Sequence, residues 1–366
     1  AGGGGGGGGA GGGAGPSSNG APSASTHTLV ATRSCAGHTN TIFALGYDPA
    51  FDLLISSGKD SKVISWSPAS TPYQTQTMSG HYACSIDVNS AQRYVFVCGV
   101  VQEAASASAD SGARSTNSPA VLAYKIDGTA NAPTLTQCGK LEKRDVKLVS
   151  CVKALTDKAD VNRFITGESS SSGEAVCYYD VGSADFANME PVRRFVEHKD
   201  IITSLTQCPD ANGVFLSGSR DCTIRLWDGR QSASAGQLQS NGGSAHAKMI
   251  TCLDSSPGIV ISAGLDKLVK VWDLRQTAAP LRQLAVDDNA ILKVALGSGG
   301  SVAAVSTLRR LYLIDVGGDG VTPIEPSFGE ARSGRYHDLK WSKHNELYAA
   351  GDDQRVDVYS LQKKSS

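Results

Sequence analysis

The chain lacks a long apolar run and an excess of charge of one sign. Its longest apolar stretch, at 94–101, is far shorter than the ~20 residues of a membrane-spanning helix. The 366 residues carry 34 Lys and Arg against 35 Asp and Glu, a formal net charge of −1 at pH 7. We therefore expect no membrane insertion and no global attraction to nucleic acid, which leaves other proteins as the expected partners.

The sequence also lacks the patterns of a secreted or metal-binding protein. It has nine cysteines, an odd number, none of them in Cys-x-x-Cys spacing, and it has no Asn-x-Ser/Thr sequon. Cys84, Cys151 and Cys252 fall at similar places in three predicted strands, and we interpret them as small buried hydrophobic residues. These observations favour a reducing compartment, the cytoplasm or the nucleus, with an organelle matrix as the alternative.

Motifs of catalysis are missing as well. There is no phosphate-binding loop, nucleophile elbow or zinc-binding helix motif. The glycine run at 2–13 lacks the strand, helix and lysine of a phosphate site, so 1–27 is predicted to be a disordered Gly/Ala/Ser-rich tail. We predict no cofactor, no metal ion, no catalytic residue and no enzymatic activity.

What the chain does contain is an internal repeat. Residues 217–228 read SGSRDCTIRLWD and residues 262–273 read SAGLDKLVKVWD. In each, a serine precedes an aspartate by four residues, and Trp-Asp begins six residues after it. A third copy has Ser56, Asp60 and Trp66, with Ser67 in place of the second aspartate. The same register places Tyr124, Tyr179, Ile314 and Tyr359 at the tryptophan position and defines seven units. Their spacings of 58, 55, 48, 45, 42 and 45 residues fit the period of propeller blades once insertions are allowed for.

Each unit is predicted to be a small antiparallel sheet. In unit 4, short runs rich in β-branched residues alternate with turn residues such as 209–213, Pro-Asp-Ala-Asn-Gly. One such sheet cannot bury both of its faces, so neighbouring sheets must stack around an axis. The predicted fold is an all-β, seven-bladed β-propeller of four-stranded antiparallel blades over 28–362, followed by a short basic tail at 363–366.

The repeat resembles the WD-repeat (Trp-Asp) β-propeller family, most strongly in units 1, 4 and 5. The resemblance implies that the N-terminal strand joins the last blade and closes the ring. It also implies a buried, hydrogen-bonded quartet in each well-matched unit. The quartets are His38, Ser56, Asp60 and Trp66; His198, Ser217, Asp221 and Trp227; and His246, Ser262, Asp266 and Trp272.

The recurring Ser, His and Asp superficially suggest nucleophilic catalysis. However, three copies that each include a tryptophan are what a structural network predicts, whereas an active site occurs once. Units 2, 3, 6 and 7 lack parts of the quartet, and we expect apolar packing to replace it there.

Two insertions distinguish units 2 and 3. They span 102–119 and 169–173, between the predicted second and third strands. They are either two flexible recognition loops above one rim or neutral loop drift. A third segment, at 140–147, is the densest basic stretch, but it has no aromatic residue, and we interpret it as a solvated strand edge rather than an RNA contact.

Units 4 and 5 share a Trp-Asp-x-Arg motif that ends at Arg230 and Arg275. It resembles the signature with which WD-repeat substrate receptors of cullin-4 ubiquitin ligases dock their adaptor. The alternative is an aspartate–arginine pair that closes a turn, a contact worth only ~0–1 kcal/mol at a surface.

The sequence as a whole favours a non-catalytic scaffold for protein–protein interactions within a larger assembly. The alternative is a substrate receptor of a cullin-4 RING ubiquitin ligase. The candidate contact surface is the rim that carries the Gly-His loops and the residues just before each quartet aspartate. The candidate partner-binding residues are Lys59, Arg220, Leu265 and Asp352, with Arg230 and Arg275 for the alternative.

Overall fold

The computed structural model describes residues 27–78, 81–101, 118–129, 132–156, 161–183, 185–318, 320–324 and 335–363. These residues form 28 strands and two 3-10 helices, and the strands make seven four-stranded antiparallel sheets. The predicted seven-bladed propeller is therefore confirmed. Most of the predicted N-terminal tail and most of the 102–119 insertion lie outside the described residues. Among the described residues, no helix has the length and apolarity needed to cross a bilayer.

The blades follow one another along the chain. Blade 1 contains β2 (Ile42–Asp48), β3 (Leu53–Gly58), β4 (Lys62–Trp66) and β5 (Pro72–Thr77). Blade 2 contains β6 (His81–Asn89), β7 (Tyr94–Val101), β8 (Ala120–Thr129) and β9 (Ala132–Glu142). Blade 3 contains β10 (Val146–Ala154), β11 (Arg163–Ser170), β12 (Gly173–Asp180) and β13 (Arg193–Phe195), with 3-10 helices at Val181–Ser183 and Phe186–Asn188. Blade 4 contains β14 (Ile202–Gln207), β15 (Val214–Ser219), β16 (Ile224–Asp228) and β17 (Ser234–Leu238).

The remaining blades keep this order until the ring closes. Blade 5 contains β18 (Ile250–Ser256), β19 (Ile259–Gly264), β20 (Leu268–Trp272) and β21 (Arg282–Ala285). Blade 6 contains β22 (Ile291–Leu296), β23 (Val302–Thr307), β24 (Leu311–Asp315) and β25 (Val321–Ile324). Blade 7 contains β26 (Tyr336–Trp341), β27 (Glu346–Gly351), β28 (Arg355–Lys363) and, at its outer edge, β1 (His27–Ala36).

Strand position within a blade decides which residues are buried. Every residue of β3 is buried, because neighbouring blades cover both faces of an inner strand. In contrast, β5 is an outer strand in which no residue is buried, and its composition is polar. The core consequently lies between blades, in layers of apolar side chains that adjacent sheets share.

Pairing of the first strand closes the ring. His27 pairs with Lys363, and the ladder runs to the pair Ala36 and Arg355. The Arg33 guanidinium donates two hydrogen bonds to the Glu346 carboxylate, at 2.7 and 2.8 Å. The predicted closure by the N-terminal strand is confirmed.

The strand register also defines two rims. The first strand of a blade begins opposite the end of the second, as in the pair Ile42 and Gly58. The loop before strand one and the turn between strands two and three therefore share one edge of the disc, here called the upper rim. The turns after strands one and three share the opposite edge, the lower rim.

Blade 3 has no insertion at the upper rim. Ser169 and Ser170 belong to β11, Gly173 begins β12, and Ser170 pairs with Gly173. A two-residue turn joins the strands, and Gly173 there has φ +116°, a value that side chains disfavour. The prediction of a flexible loop at 169–173 was wrong, because the extra residues lengthen the hairpin ladder instead of forming a loop.

Candidate functional site

The quartet of blade 4 is a continuous hydrogen-bonded chain. His198 contacts the Asp221 carboxylate through Nδ1 at 2.9 Å and the Ser217 hydroxyl through Nε2 at 2.6 Å. The Trp227 indole donates to the same hydroxyl at 2.7 Å. One proton arrangement satisfies every group: Trp227 donates to Ser217, the hydroxyl donates to Nε2, and Nδ1–H donates to the carboxylate.

Blades 1 and 5 repeat this geometry. His38 contacts Asp60 at 2.9 Å and Ser56 at 2.8 Å, and Trp66 donates to Ser56 at 2.7 Å. In blade 5 the corresponding distances, from His246 to Asp266, from His246 to Ser262 and from Trp272 to Ser262, are 2.9, 2.7 and 2.8 Å. The three quartets thus join a loop, a turn and two strands of each blade at the upper rim.

The quartet carboxylates are held in their ionised form. Burial alone would raise the pKa of Asp221, but hydrogen bonds from His198, Thr223 and the Lys199 backbone lower the pKa well below its usual value. The pKa values of Asp60 and Asp266 are lowered by the same kind of donors. Since these pKa values lie below those of the unfolded chain, the quartets contribute stability above about pH 4 and lose it as the pH falls further.

The order Ser–His–Asp is that of a nucleophilic triad, yet the serines are inaccessible. Ser56, Ser217 and Ser262 are each 0 % exposed, and each hydroxyl accepts a hydrogen bond from a tryptophan. A nucleophile must reach the reacting atom of a substrate. A fully buried hydroxyl that is hydrogen-bonded to an indole cannot do so. The quartets therefore have the geometry of buried hydrogen-bond networks.

Blade 3 has a different buried polar cluster at the same place. Lys143, in the loop before β10, contacts Glu168 at 3.5 Å and the Tyr179 hydroxyl. Glu168 also accepts hydrogen bonds from Tyr179 at 2.7 Å and Thr166 at 2.8 Å. The expectation that this blade relies on apolar packing alone was wrong. Lys143 departs from the solvated edge predicted for 140–147, since its side chain is 10 % exposed, whereas Arg144, Asp145 and Lys147 are exposed.

Blades 6 and 7 use further variants. In blade 6, Asp287 accepts hydrogen bonds from Thr307 and Tyr312, both at 3.0 Å. In blade 7, the Tyr336 hydroxyl lies 2.9 Å from the Asp357 carboxylate and 2.8 Å from the Tyr359 hydroxyl, and all three residues are buried. In these blades too, polar contacts exist where only apolar packing was expected.

Blade 2 also has a polar contact, since the buried His81 ring lies 2.8 Å from the Ser118 carbonyl, but it differs at the tryptophan position. Tyr124 stands at the tryptophan position and is fully buried, but its hydroxyl has no hydrogen-bond partner among the described residues. Burial raises the pKa of this phenol to about 12. A buried, unpaired hydroxyl costs about 1–3 kcal/mol of stability.

Tyr124→Phe should therefore raise the free energy of unfolding by about 1–3 kcal/mol, because it removes the unpaired hydroxyl and keeps the ring. Chemical denaturation measures the change. Tyr359→Phe is the matched control at the same position of blade 7, where the hydroxyl is bonded, and it should be destabilising. A loss of stability in Tyr124→Phe would contradict the structure.

The predicted rim residues lie at equivalent turns. Lys59, Arg220, Leu265 and Asp352 each follow the second strand of a blade on the upper rim, and Leu308 of blade 6 shares the position. Lys59, Arg220 and Leu308 are exposed, whereas Leu265 and Asp352 are half-buried. Leu308 carries no recognisable sequence signal, because blade 6 lacks the serine and tryptophan that mark the turn.

Arg230 and Arg275 lie on the lower rim. Each closes the turn after a third strand, and its guanidinium donates to both carboxylate oxygens of its own aspartate, Asp228 or Asp273, at 2.6–3.0 Å. Their side chains are nevertheless 75 % and 86 % exposed. Arg275 also borders a cavity of about 360 Å³ between blades 4 and 5.

Comparison with known proteins agrees with this architecture. The family model "WD domain, G-beta repeat" matches residues 29–67, 189–228 and 239–273. These ranges hold the tryptophans of the three quartets. Together with the closed ring of seven blades, the matches show that the chain belongs to the WD-repeat β-propeller family. Propellers of this family generally bind other proteins and are generally non-catalytic.

Proposed function

We propose that this propeller is a non-catalytic scaffold whose upper rim holds other proteins in a larger assembly. One observation carries the proposal: five upper-rim turns share a backbone geometry and differ in side chain. The backbone N–H groups of Lys59, Arg220, Leu265, Leu308 and Asp352 each donate to the carbonyl just before the first strand of their own blade, at 2.8–3.4 Å. A fixed frame with varied side chains is what partner recognition requires.

The chemistry of these positions supports the proposal. They combine exposed cations, leucines and a carboxylate, and interfaces combine charged rims with apolar contacts in this way. Asp352 is itself held by His337 at 2.8 Å and Arg335 at 3.5 Å. The His337 and Phe43 ring centroids lie 5.7 Å apart, which places an aromatic pair beside Asp352. Both rings also line the central cavity that the first strands of the seven blades surround.

The lower rim supports a second candidate, the cullin-4 ligase receptor. The observation in its favour is the cavity beside Arg275, to which apolar groups of both blades contribute. Its lining includes Cys208, Pro209, Ile259 and Leu274. An adaptor could insert an apolar side chain there and contact the exposed arginines. Against it, both guanidinium groups already pair with aspartates of their own turns.

Two double charge reversals separate the candidates. Lys59→Glu with Arg220→Glu alters the upper rim, and Arg230→Glu with Arg275→Glu alters the lower rim by the same net charge. Because rim charges affect binding more than folding, we expect both proteins to keep their melting temperature within a few degrees. The upper-rim variant should lose its stoichiometric partners at least tenfold in quantitative affinity purification, whereas the lower-rim variant should retain them.

Loss of a ligase adaptor and cullin from the lower-rim variant alone would support the receptor and overturn the upper-rim scaffold. An unchanged partner set in both variants would overturn both assignments, since neither rim would then hold the principal contact.

A further inference from the structure

Blades 4 and 5 each place a cation two residues before the quartet tryptophan. Arg225 of β16 pairs with Ser217, and Lys270 of β20 pairs with Ser262, so the two cations occupy equivalent sites in neighbouring blades. Both side chains reach toward the loop that carries the quartet histidine. The two sites differ in how the charge is balanced.

In blade 4 the chain supplies its own counter-ion. Glu197, immediately before His198, contacts the Arg225 guanidinium at 2.5 Å. The same carboxylate accepts hydrogen bonds from the Ser234 backbone and hydroxyl, both at 2.7 Å. Arg225 is therefore neutralised within the blade.

In blade 5 the corresponding position, before His246, is Ala245. Lys270 is only 4 % exposed, and its ammonium donates to the Ala245 carbonyl at 2.7 Å and to the Ser240 hydroxyl at 3.2 Å. Within the described residues, no carboxylate lies within ion-pair distance of it. Burial lowers the pKa of Lys270, and the Asp266 carboxylate opposes that shift. A buried cation without a counter-ion is costly, so this site is unusual in a folded protein.

The Lys270 site opens to the surface. Lys270 lines a cavity of about 480 Å³ at the upper rim between blades 4 and 5, and the other lining residues include Cys222, Ser240, Ser244 and His246. The rim around it is rich in exposed cations. These are Lys199 and Arg220 on blade 4 and Lys248 and Lys267 on blade 5.

We propose that this cavity binds a carboxylate side chain from an acidic segment of a partner protein, and that Lys270 supplies the counter-charge. The carboxylate of the segment would neutralise Lys270, as Glu197 neutralises Arg225 in blade 4. The inference deepens the proposed scaffold function and rests on it, because it names the chemistry of one upper-rim contact.

The surroundings favour a carboxylate over a phosphoryl group. Asp221 lines the cavity, and Asp266 lies near enough to influence Lys270 electrostatically. Both aspartates are ionised in their quartets and would repel a dianion about twice as strongly as a monoanion. A single buried ammonium in this cavity suits a single negative charge.

Fluorescence anisotropy on the full chain tests the proposal with a labelled Glu-Ser repeat peptide and its Gln-Ser counterpart. Wild type should bind the Glu peptide at least tenfold more tightly than the Gln peptide. Lys270→Met keeps the length of the side chain and removes its charge, so it should weaken binding of the Glu peptide at least tenfold. Lys267→Met is the matched control, an exposed rim cation outside the cavity, and it should weaken binding by less than threefold.

A second variant gives Lys270 a counter-ion that belongs to the chain itself. Ala245→Glu places a carboxylate where blade 4 has Glu197, so it should abolish binding of the Glu peptide. Equal effects of Lys270→Met and Lys267→Met would mean that binding depends on the overall positive charge of the rim and not on Lys270, which would overturn the proposal. Tighter, Lys270-dependent binding of a phosphoserine peptide would overturn the choice of carboxylate. Failure of wild type to bind the Glu peptide would overturn this inference alone, since the rim charge reversals judge the scaffold separately.

Discussion

Trp227→Ala is expected to lower the free energy of unfolding by about 3–5 kcal/mol, the range for emptying a buried aromatic site. The side chain is 0 % exposed and its ring lies 5.0 Å from that of Phe195, between blades 3 and 4. The substitution also removes the donor to Ser217. Urea denaturation with an unchanged m-value measures the loss.

Trp227→Phe is the control for this experiment. It removes the indole N–H while keeping much of the ring, so its effect should be clearly smaller than that of alanine. Wild-type stability in Trp227→Ala would mean that the quartet does not support blade 4 as the structure indicates.

Lys143→Met should cost a comparable ~3–5 kcal/mol, because it leaves the Glu168 carboxylate buried without its cation. Glu168 is only 1 % exposed, and Lys143 is its one ion-pair partner among the described residues. The same denaturation measurement applies. Adding Glu168→Gln to Lys143→Met should recover a large part of the loss, because it removes the uncompensated charge.

The neighbouring lysine offers a matched control for Lys143. Lys140 contacts Glu142 at 2.7 Å with both side chains substantially exposed, so Lys140→Met should cost only ~0–1 kcal/mol. Equal effects at the two lysines would show that the Lys143 cluster is not the buried network described above.

The fold could be predicted from the sequence because three units keep all four quartet residues. Once Ser, Asp and Trp set the register, the remaining units could be placed by spacing alone. The polar clusters of the other blades could not be predicted, because many pairs of groups can satisfy a buried tyrosine. Lys143 in blade 3 and Asp287 in blade 6 occupy the histidine loop, but neither belongs to a recurring motif.

The blade 3 hairpin shows a second limit of spacing arguments. Counting residues between repeat positions detected additional length at 169–173 but could not say whether those residues pair. The Lys270 site shows the reverse case. Its signal was present in the sequence as Glu197 in blade 4 against Ala245 in blade 5, but only the structure shows which cation each position faces.

Ring closure by β1 has a consequence for how the protein is made. Hydrogen-bonded partners in β1 and β28 stand 326 residues apart, as in the contact from Thr32 to Val358. At about 5–20 residues per second, β1 leaves the ribosome roughly 15–65 s before its partner strand exists. During that interval β1 has no partner strand, so the nascent chain can pair with other chains at the strand that later closes the ring.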